Sequence, residues 1–217
     1  MTPTAPSGAL RAVIFDLGGV VFDSPLALIR EYEERRGLPE HFVARVVGGY
    51  GGADGAWHRL ERGETSLAEF CERFDADAAA AGQPFSTTDL MREMATRSAA
   101  RPSMLAAIRK LRGGGLKVAA LTNNWVTDAG YDERLRPLRD EFHVFVESCK
   151  VGLRKPDPRI YTLACEQLGV APSAAVFLDD IGGNLKAARA LGMTTIKVSE
   201  PEDALRQLAL AVGLDLA

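Results

Sequence analysis

Asp16, Thr122, Lys155 and the pair Asp179-Asp180 are the residue types that together handle a phosphate and a divalent cation. A carboxylate such as Asp16 can attack phosphorus to form an aspartyl phosphate while its other oxygen holds Mg2+. The glycines that follow, Gly18 and Gly19, let the backbone come close to a phosphate and present N–H groups to it. Thr122 and Asn123 offer a hydroxyl and an amide to phosphate oxygens. Lys155, in the run Lys155-Pro156-Asp157-Pro158, brings an ammonium beside the start of a helix, and both suit an anion. Two adjacent acids repel each other unless a cation is present, and successive residues of a strand point opposite ways. Asp180 is therefore the expected Mg2+ ligand, with Asp179 supporting it from behind. Taken singly, each residue is commoner as a turn or cap; the four signals gain their force from their order.

That order comes from the elements that carry them. Ala12–Phe15, Leu116–Leu121, Ala174–Leu178 and the weaker Val144–Val146 are short apolar runs of the kind buried on both faces of a sheet, and Thr194–Val198 closes the series. Asp16, Thr122 and Asp179-Asp180 each follow one of them. Between the runs the spacing turns helical: Met104, Leu105, Ile108 and Leu111 make one stripe, Ile160, Leu163, Ala164 and Leu168 another, and Leu185, Ala188 and Leu191 a third, with a last helix around Ala204–Leu208. Alternating strands and helices predict an α/β fold, a Rossmann-like parallel sheet with helices on both faces, whose ligands bind at the carboxyl ends of the strands. Residues 24–98 interrupt the alternation with helical segments (26–36, 41–47, 66–81 and 88–97) and no strand. They predict a helical cap inserted after the first strand, over a core made of 1–23 and 99–217. In the cap, the glycine-rich run 48–52 followed by Trp57, His58 and Arg59 offers a loop, an aromatic wall and a cation as substrate-specificity candidates; the plainer alternative is an inter-helix loop with Trp57 in the cap's core.

The bulk composition is that of a globular protein: 217 residues, 47% hydrophobic, 25% charged. A net charge of −3 gives no general attraction to nucleic acid or to anionic membranes, so neither is an expected partner. The expected one is a small phosphorylated metabolite, bound by a monomer or homodimer. Cys71, Cys149 and Cys165 are odd in number and lack a CxxC spacing, which fits reduced thiols in the cytoplasm. The opening eight residues have no basic segment or long apolar run, so neither a signal peptide nor a bilayer span is expected.

Asp16-Leu-Gly-Gly-Val20, Leu121-Thr-Asn-Asn-Trp125, Lys155-Pro-Asp-Pro-Arg-Ile-Tyr161 and Phe177-Leu-Asp-Asp-Ile-Gly-Gly-Asn-Leu-Lys186 resemble the four motifs of the haloacid dehalogenase superfamily, most of whose members are phosphatases. They are most similar to the N-terminal phosphatase domain of soluble epoxide hydrolase and to the equivalent domain fused to some acyl-CoA dehydrogenases. The wording of the first motif is nearer the second group. The resemblance implies that Asp16 is nucleophile and metal ligand, that Gly18 gives a backbone carbonyl to Mg2+, and that Asp180 completes the metal site. It also implies that Thr122 and Asn123 hold the phosphoryl group while Lys155 neutralises its charge.

One position departs from the pattern. Phosphatases of this superfamily usually carry a second aspartate two residues after the nucleophile, where this chain has Gly18. That aspartate serves as general acid and base, a contribution typically of about 10²–10⁴-fold. Its loss should weaken turnover of esters with poor leaving groups and spare aryl, acyl and anomeric sugar phosphates. Asp23, Asp179 and His58 are candidates for replacing it. The expected function is a Mg2+-dependent phosphomonoesterase. The alternative is a protein that binds phosphorylated ligands or a partner and turns over little. A 2-haloacid dehalogenase is the weaker third reading, because Gly18-Gly19-Val20 supplies no aromatic or arginine behind the nucleophile.

Overall fold

The computed structural model describes residues 9–49, 52–97, 99–127 and 131–216. Five strands, β1 (Ala12–Phe15), β2 (Lys117–Thr122), β3 (Val144–Glu147), β4 (Ala175–Asp179) and β5 (Thr194–Lys197), form one parallel sheet in the order β3-β2-β1-β4-β5. The chain reverses its winding at β1. The crevice at this switch point opens above the carboxyl ends of β1, β2 and β4.

Each strand divides its residues between two cores by its period of two. Val13, Phe15, Val118, Ala120, Val176 and Leu178 face helices α6 (Pro102–Gly113) and α11 (Pro201–Val212). Ala12, Ile14, Ala119, Leu121, Ala175 and Phe177 face α9 (Pro158–Leu168) and α10 (Gly182–Ala190). The expected α/β sheet covered on both faces is the observed fold.

Between β1 and β2 the chain runs through α1 (Pro25–Arg36), α2 (Phe42–Gly49), α3 (Ala56–Glu61), α4 (Leu67–Ala80) and α5 (Thr87–Arg97). These helices enclose a third core of their own, built on Tyr32, Phe42, Phe70, Phe74, Leu90 and Met94. α4 opens with a reciprocal capping box between Ser66 and Glu69. The two connections to the sheet run side by side: Phe22 pairs with Ala100, and the Arg101 amide donates to the Val21 carbonyl at 2.8 Å. Of the glycine-rich run 48–52, Tyr50 and Gly51 lie outside the described residues, as do Met1–Gly8 and Ser98. Three helices among the described residues have no counterpart in the sequence reading: α3, α7 (Tyr131–Arg139) between β2 and β3, and the short α8 (Ser148–Val151) after β3. Among the described residues no helix is long and apolar enough to cross a membrane.

Candidate active site

The site begins with a parity argument. β1 and β4 pair in parallel with Phe15 opposite Leu178, and the Asp16 amide continues the ladder by donating to the Leu178 carbonyl at 2.9 Å. One step beyond, Asp16 stands beside Asp179, both on the face that carries Ile14 and Phe177. Neighbouring strands lie about 4.8 Å apart, so two buried carboxylates are forced together. Asp179 is fully buried and Asp16 nearly so.

Lys155 resolves the conflict. Its side chain is buried, and Nζ lies 2.8 Å from Asp16 Oδ1 and 2.8 Å from Asp179 Oδ2. It arrives on the loop between α8 (Ser148–Val151) and α9, which Asn123 anchors. The Asn123 side chain accepts from the Lys155 amide at 2.8 Å and donates to the Lys155 carbonyl at 3.1 Å. The Asn123 side chain thus holds the lysine's backbone with its oxygen and one amide hydrogen, which leaves the second amide hydrogen available. Burial opposes the charge on Lys155, but Asp16 and Asp179 outweigh it and hold the ammonium above its usual range.

Asp179 is committed elsewhere as well. Its Oδ1 accepts from the Ile181 amide at 2.7 Å, and the Asn184 amide group donates to Oδ1 at 3.2 Å and to Oδ2 at 3.0 Å. Asp180 points the other way. It is half-buried, and the Ser24 hydroxyl donates to its Oδ2 at 3.5 Å. Gly19 makes room for it: a Cβ at Gly19, where φ is +79°, would stand 2.2 Å from Asp180 Oδ2. On Asp16, Oδ1 accepts from the Leu17 amide at 2.7 Å as well as facing Lys155. Oδ2 carries no bond to the described residues.

Carboxylate oxygens of Asp16, Asp179 and Asp180 all lie within 4.8 Å of one another. Three formal negative charges face the one positive charge of Lys155. Hard oxygen donors with a surplus of negative charge suit Mg2+, so the donor set fits this ion. The same imbalance shows in the proton equilibria. Burial pushes the Asp16 carboxyl up to about 8; Lys155 opposes the rise, and Asp179 and Asp180 add to it. Asp180 is also raised, by burial and then by Asp179. Thr122 is buried at the end of β2, its hydroxyl 3.4 Å from the Asn123 carbonyl.

A family model of haloacid dehalogenase-like hydrolases matches residues 10–192, a span that takes in every one of these residues. The chain belongs to that family. Among curated relatives, acyl-CoA dehydrogenase family member 10 of Mus musculus is 40% identical over 95% of this chain and 19% of its own length. Bifunctional epoxide hydrolase 2 of Sus scrofa is 34% identical over 96% of this chain and 40% of its own length. The chain thus spans less than half of either relative. A phosphatase of Mycobacterium tuberculosis is 32% identical over 85% of each chain. A solved HAD family enzyme of Bacteroides thetaiotaomicron, in complex with magnesium and inorganic phosphate, shares the fold with a TM-score of 0.59 at 20% identity, covering 87% of this chain and 94% of that one.

In this haloacid dehalogenase-like hydrolase the proposed specificity residues make their bonds with the helical unit and with Trp125. Trp57 packs its ring against Phe70, Phe74 and Trp125 and donates from Nε1 to Glu61 at 3.1 Å. His58 Nδ1 lies 2.7 Å from the Gly52 carbonyl, and exposed Arg59 faces Glu64 at 3.7 Å. None of their bonds among the described residues reaches Asp16, Thr122, Lys155 or Asp180. Three supporting residues were not singled out by sequence: Asn184 on Asp179, Ser24 on Asp180, and Arg101, which donates to the Gly19 carbonyl at 2.8 Å and the Val20 carbonyl at 3.0 Å. Ser24 carries a visible signal, a serine before Pro25 at a helix start; Arg101 carries none. The helical unit is also tied to the lysine loop, because Glu61 accepts from Arg154 Nε at 2.6 Å.

Proposed function

We propose that this chain is a Mg2+-dependent phosphomonoesterase acting on a small organic phosphate through an aspartyl-phosphate intermediate. The observation that carries the reading is the state of Asp16. One carboxylate oxygen is fixed by the Leu17 amide and Lys155 while the other carries no bond to the described residues, at the end of the central strand. A carboxylate held this way is oriented for in-line attack on phosphorus and cannot swing aside.

Mg2+, held by Asp16 and Asp180 with the Gly18 carbonyl, would neutralise charge on the phosphoryl oxygens. Lys155 keeps Asp16 and Asp179 together and adds a positive charge beside the transferring group. Asn123 fixes the lysine's backbone, and Asn184 and the Ile181 amide hold Asp179 in place behind the metal carboxylate. The Thr122 hydroxyl and the Asn123 backbone N–H would bind phosphoryl oxygens, while the Asn124 N–H is taken by the Ser148 hydroxyl at 2.9 Å. Residues 24–98 act as a cap that excludes water, latched to the core through Glu61 and Arg154.

A protein that only binds phosphorylated ligands has no use for a fixed, half-open carboxylate at Asp16. The test is release of p-nitrophenol from p-nitrophenyl phosphate by the full chain. Turnover that requires both Mg2+ and Asp16 supports the proposal. Correctly folded protein that releases nothing removes it.

A further inference from the structure

Two asparagines follow the end of β2, and each is committed to a different neighbour. Asn123 clamps the backbone of Lys155. Asn124 is held by Glu147, Ser148 and Cys149, at the turn from β3 into α8, and all of its polar atoms are engaged. Its backbone N–H donates to the Ser148 hydroxyl at 2.9 Å, and that hydroxyl donates back to the Asn124 carbonyl at 3.3 Å. Its Nδ2 donates to Glu147 Oε1 at 2.9 Å, and its Oδ1 accepts from the Cys149 thiol at 3.3 Å.

A helix start would ask something else of these residues. Glu147 is the cap residue of α8, a position whose side-chain oxygen often accepts from the first turn, yet it makes no such bond. Its side chain is buried, and its second oxygen meets two cations: Arg139 of α7 at 2.7 Å and Lys150 of α8 at 3.1 Å. Charge-assisted bonds on both sides fix that carboxylate in place. Ser148 is fully buried, and its hydroxyl is both donor and acceptor to Asn124.

The strand register brings the two turns together. Thr122 pairs with Glu147 across β2 and β3, so the residues beyond them leave the sheet side by side. Because Ser148 bonds both the N–H and the C=O of Asn124, it fixes the peptide planes on either side of that residue. The first of those planes carries the Asn123 carbonyl, which lies 3.4 Å from the Thr122 hydroxyl. The N–H of Asn123, one plane earlier, has no partner among the described residues.

Resting on the phosphatase reading, we infer that Ser148 and Glu147 are positioning residues for phosphoryl transfer. Acting through Asn124, they hold the loop after β2 so that the Thr122 hydroxyl and the Asn123 N–H meet the phosphoryl oxygens in the transition state, where a small misplacement is costly. Without the Ser148 hydroxyl the Asn124 N–H loses its partner, and the peptide turns to find another. Asp16, Gly18 and Asp180 lie on the loops after β1 and β4, so the brace governs phosphate and not metal.

The experiment compares the full wild-type chain with Ser148→Ala and Glu147→Gln. It reads kcat and KM for p-nitrophenyl phosphate with Mg2+, inhibition by orthovanadate, a transition-state analogue of phosphoryl transfer, and the Mg2+-induced thermal shift. Ser148→Ala should lower kcat and weaken orthovanadate inhibition, each by about 10- to 100-fold, with KM and the Mg2+ shift unchanged. Glu147→Gln, which keeps an acceptor for Asn124 but loses its cations, should show the same pattern more weakly. A lower melting temperature with kcat and orthovanadate inhibition unchanged in the folded protein would mean a structural role alone and overturns the inference. Loss of the Mg2+ shift in step with orthovanadate inhibition overturns it too. If Ser148→Ala fails to fold by circular dichroism, Asn124→Asp decides in its place. The new carboxylate repels Glu147 and should lower kcat, and adding Glu147→Gln, which sets a donor opposite it, should restore kcat. A pair without that recovery overturns the inference. A wild-type chain with no hydrolysis dependent on Mg2+ and Asp16 removes the phosphatase reading itself, and the inference with it.

Discussion

Asp16 and Asp179 stand side by side on the same face of adjacent parallel strands, and the Lys155 ammonium lies 2.8 Å from an oxygen of each. The strand register creates the repulsion and the lysine relieves it, so the pairing is structural before it is chemical.

Removing that lysine should therefore unfold as well as inactivate. Lys155→Met leaves two buried carboxylates facing each other, and breaking a buried pair this way costs about 3–5 kcal/mol. Urea denaturation at neutral pH should show a loss of that order. A variant as stable as the wild type would contradict this account of the cluster.

The raised Asp16 carboxyl makes a signed prediction about pH. Its folded value of about 8 lies above the ordinary 3.8, so the metal-free folded state holds a proton that the unfolded chain releases. The stabilisation from this group is full in acid and falls as pH rises between those values, by at most about 1.4 kcal/mol per pH unit. In EDTA, Asp16→Asn should remove that part of the slope and gain stability relative to wild type as pH rises. For the same reason Mg2+ should bind more tightly at higher pH and release a proton on binding, which calorimetry in buffers of different ionisation enthalpy measures. Equal slopes for both proteins would be the contrary result.

Gly19 is predicted to be the least replaceable residue of the first loop. Alanine there takes a positive φ and runs into Asp180 Oδ2, with a backbone cost of about 1 kcal/mol or more. Gly19→Ala should weaken Mg2+ binding about as much as Asp180→Asn does, read by Mg2+-induced thermal shift. Asp179→Asn, by contrast, should lower stability more than metal affinity.

Much of this could be read in the sequence because apolar runs of four to six residues ending in a polar one are the signature of a parallel sheet, and the sheet brings its strand ends together. Asp16, Thr122 and Asp180 were legible on that ground. Lys155 was visible as a charge beside a helix start, but its placement between two acids depends on Asn123, a contact between residues 32 apart that no local pattern encodes. The hold of the Asn123 amide on the Lys155 carbonyl is likewise a contact that sequence cannot show. Trp57 was read either as a substrate wall or as part of the cap's own core, and its place among Phe70, Phe74 and Trp125 depends on how two helices and a loop pack. α7 escaped notice because Tyr131–Arg139 is rich in charge, contains Pro137 and lacks an apolar stripe.

The most direct measurement is of the covalent intermediate itself. Gly18 stands where phosphatases of this superfamily usually carry the aspartate that activates water, so an aryl phosphate should phosphorylate the protein faster than water releases it. Rapid mixing with p-nitrophenyl phosphate and Mg2+, followed by an acid quench and peptide mass analysis, should show a burst of p-nitrophenol and a phosphoryl group on the peptide carrying Asp16. Both should be absent with EDTA and in Asp16→Asn. Steady hydrolysis with no phosphorylated peptide, or hydrolysis that survives Asp16→Asn, would contradict the account.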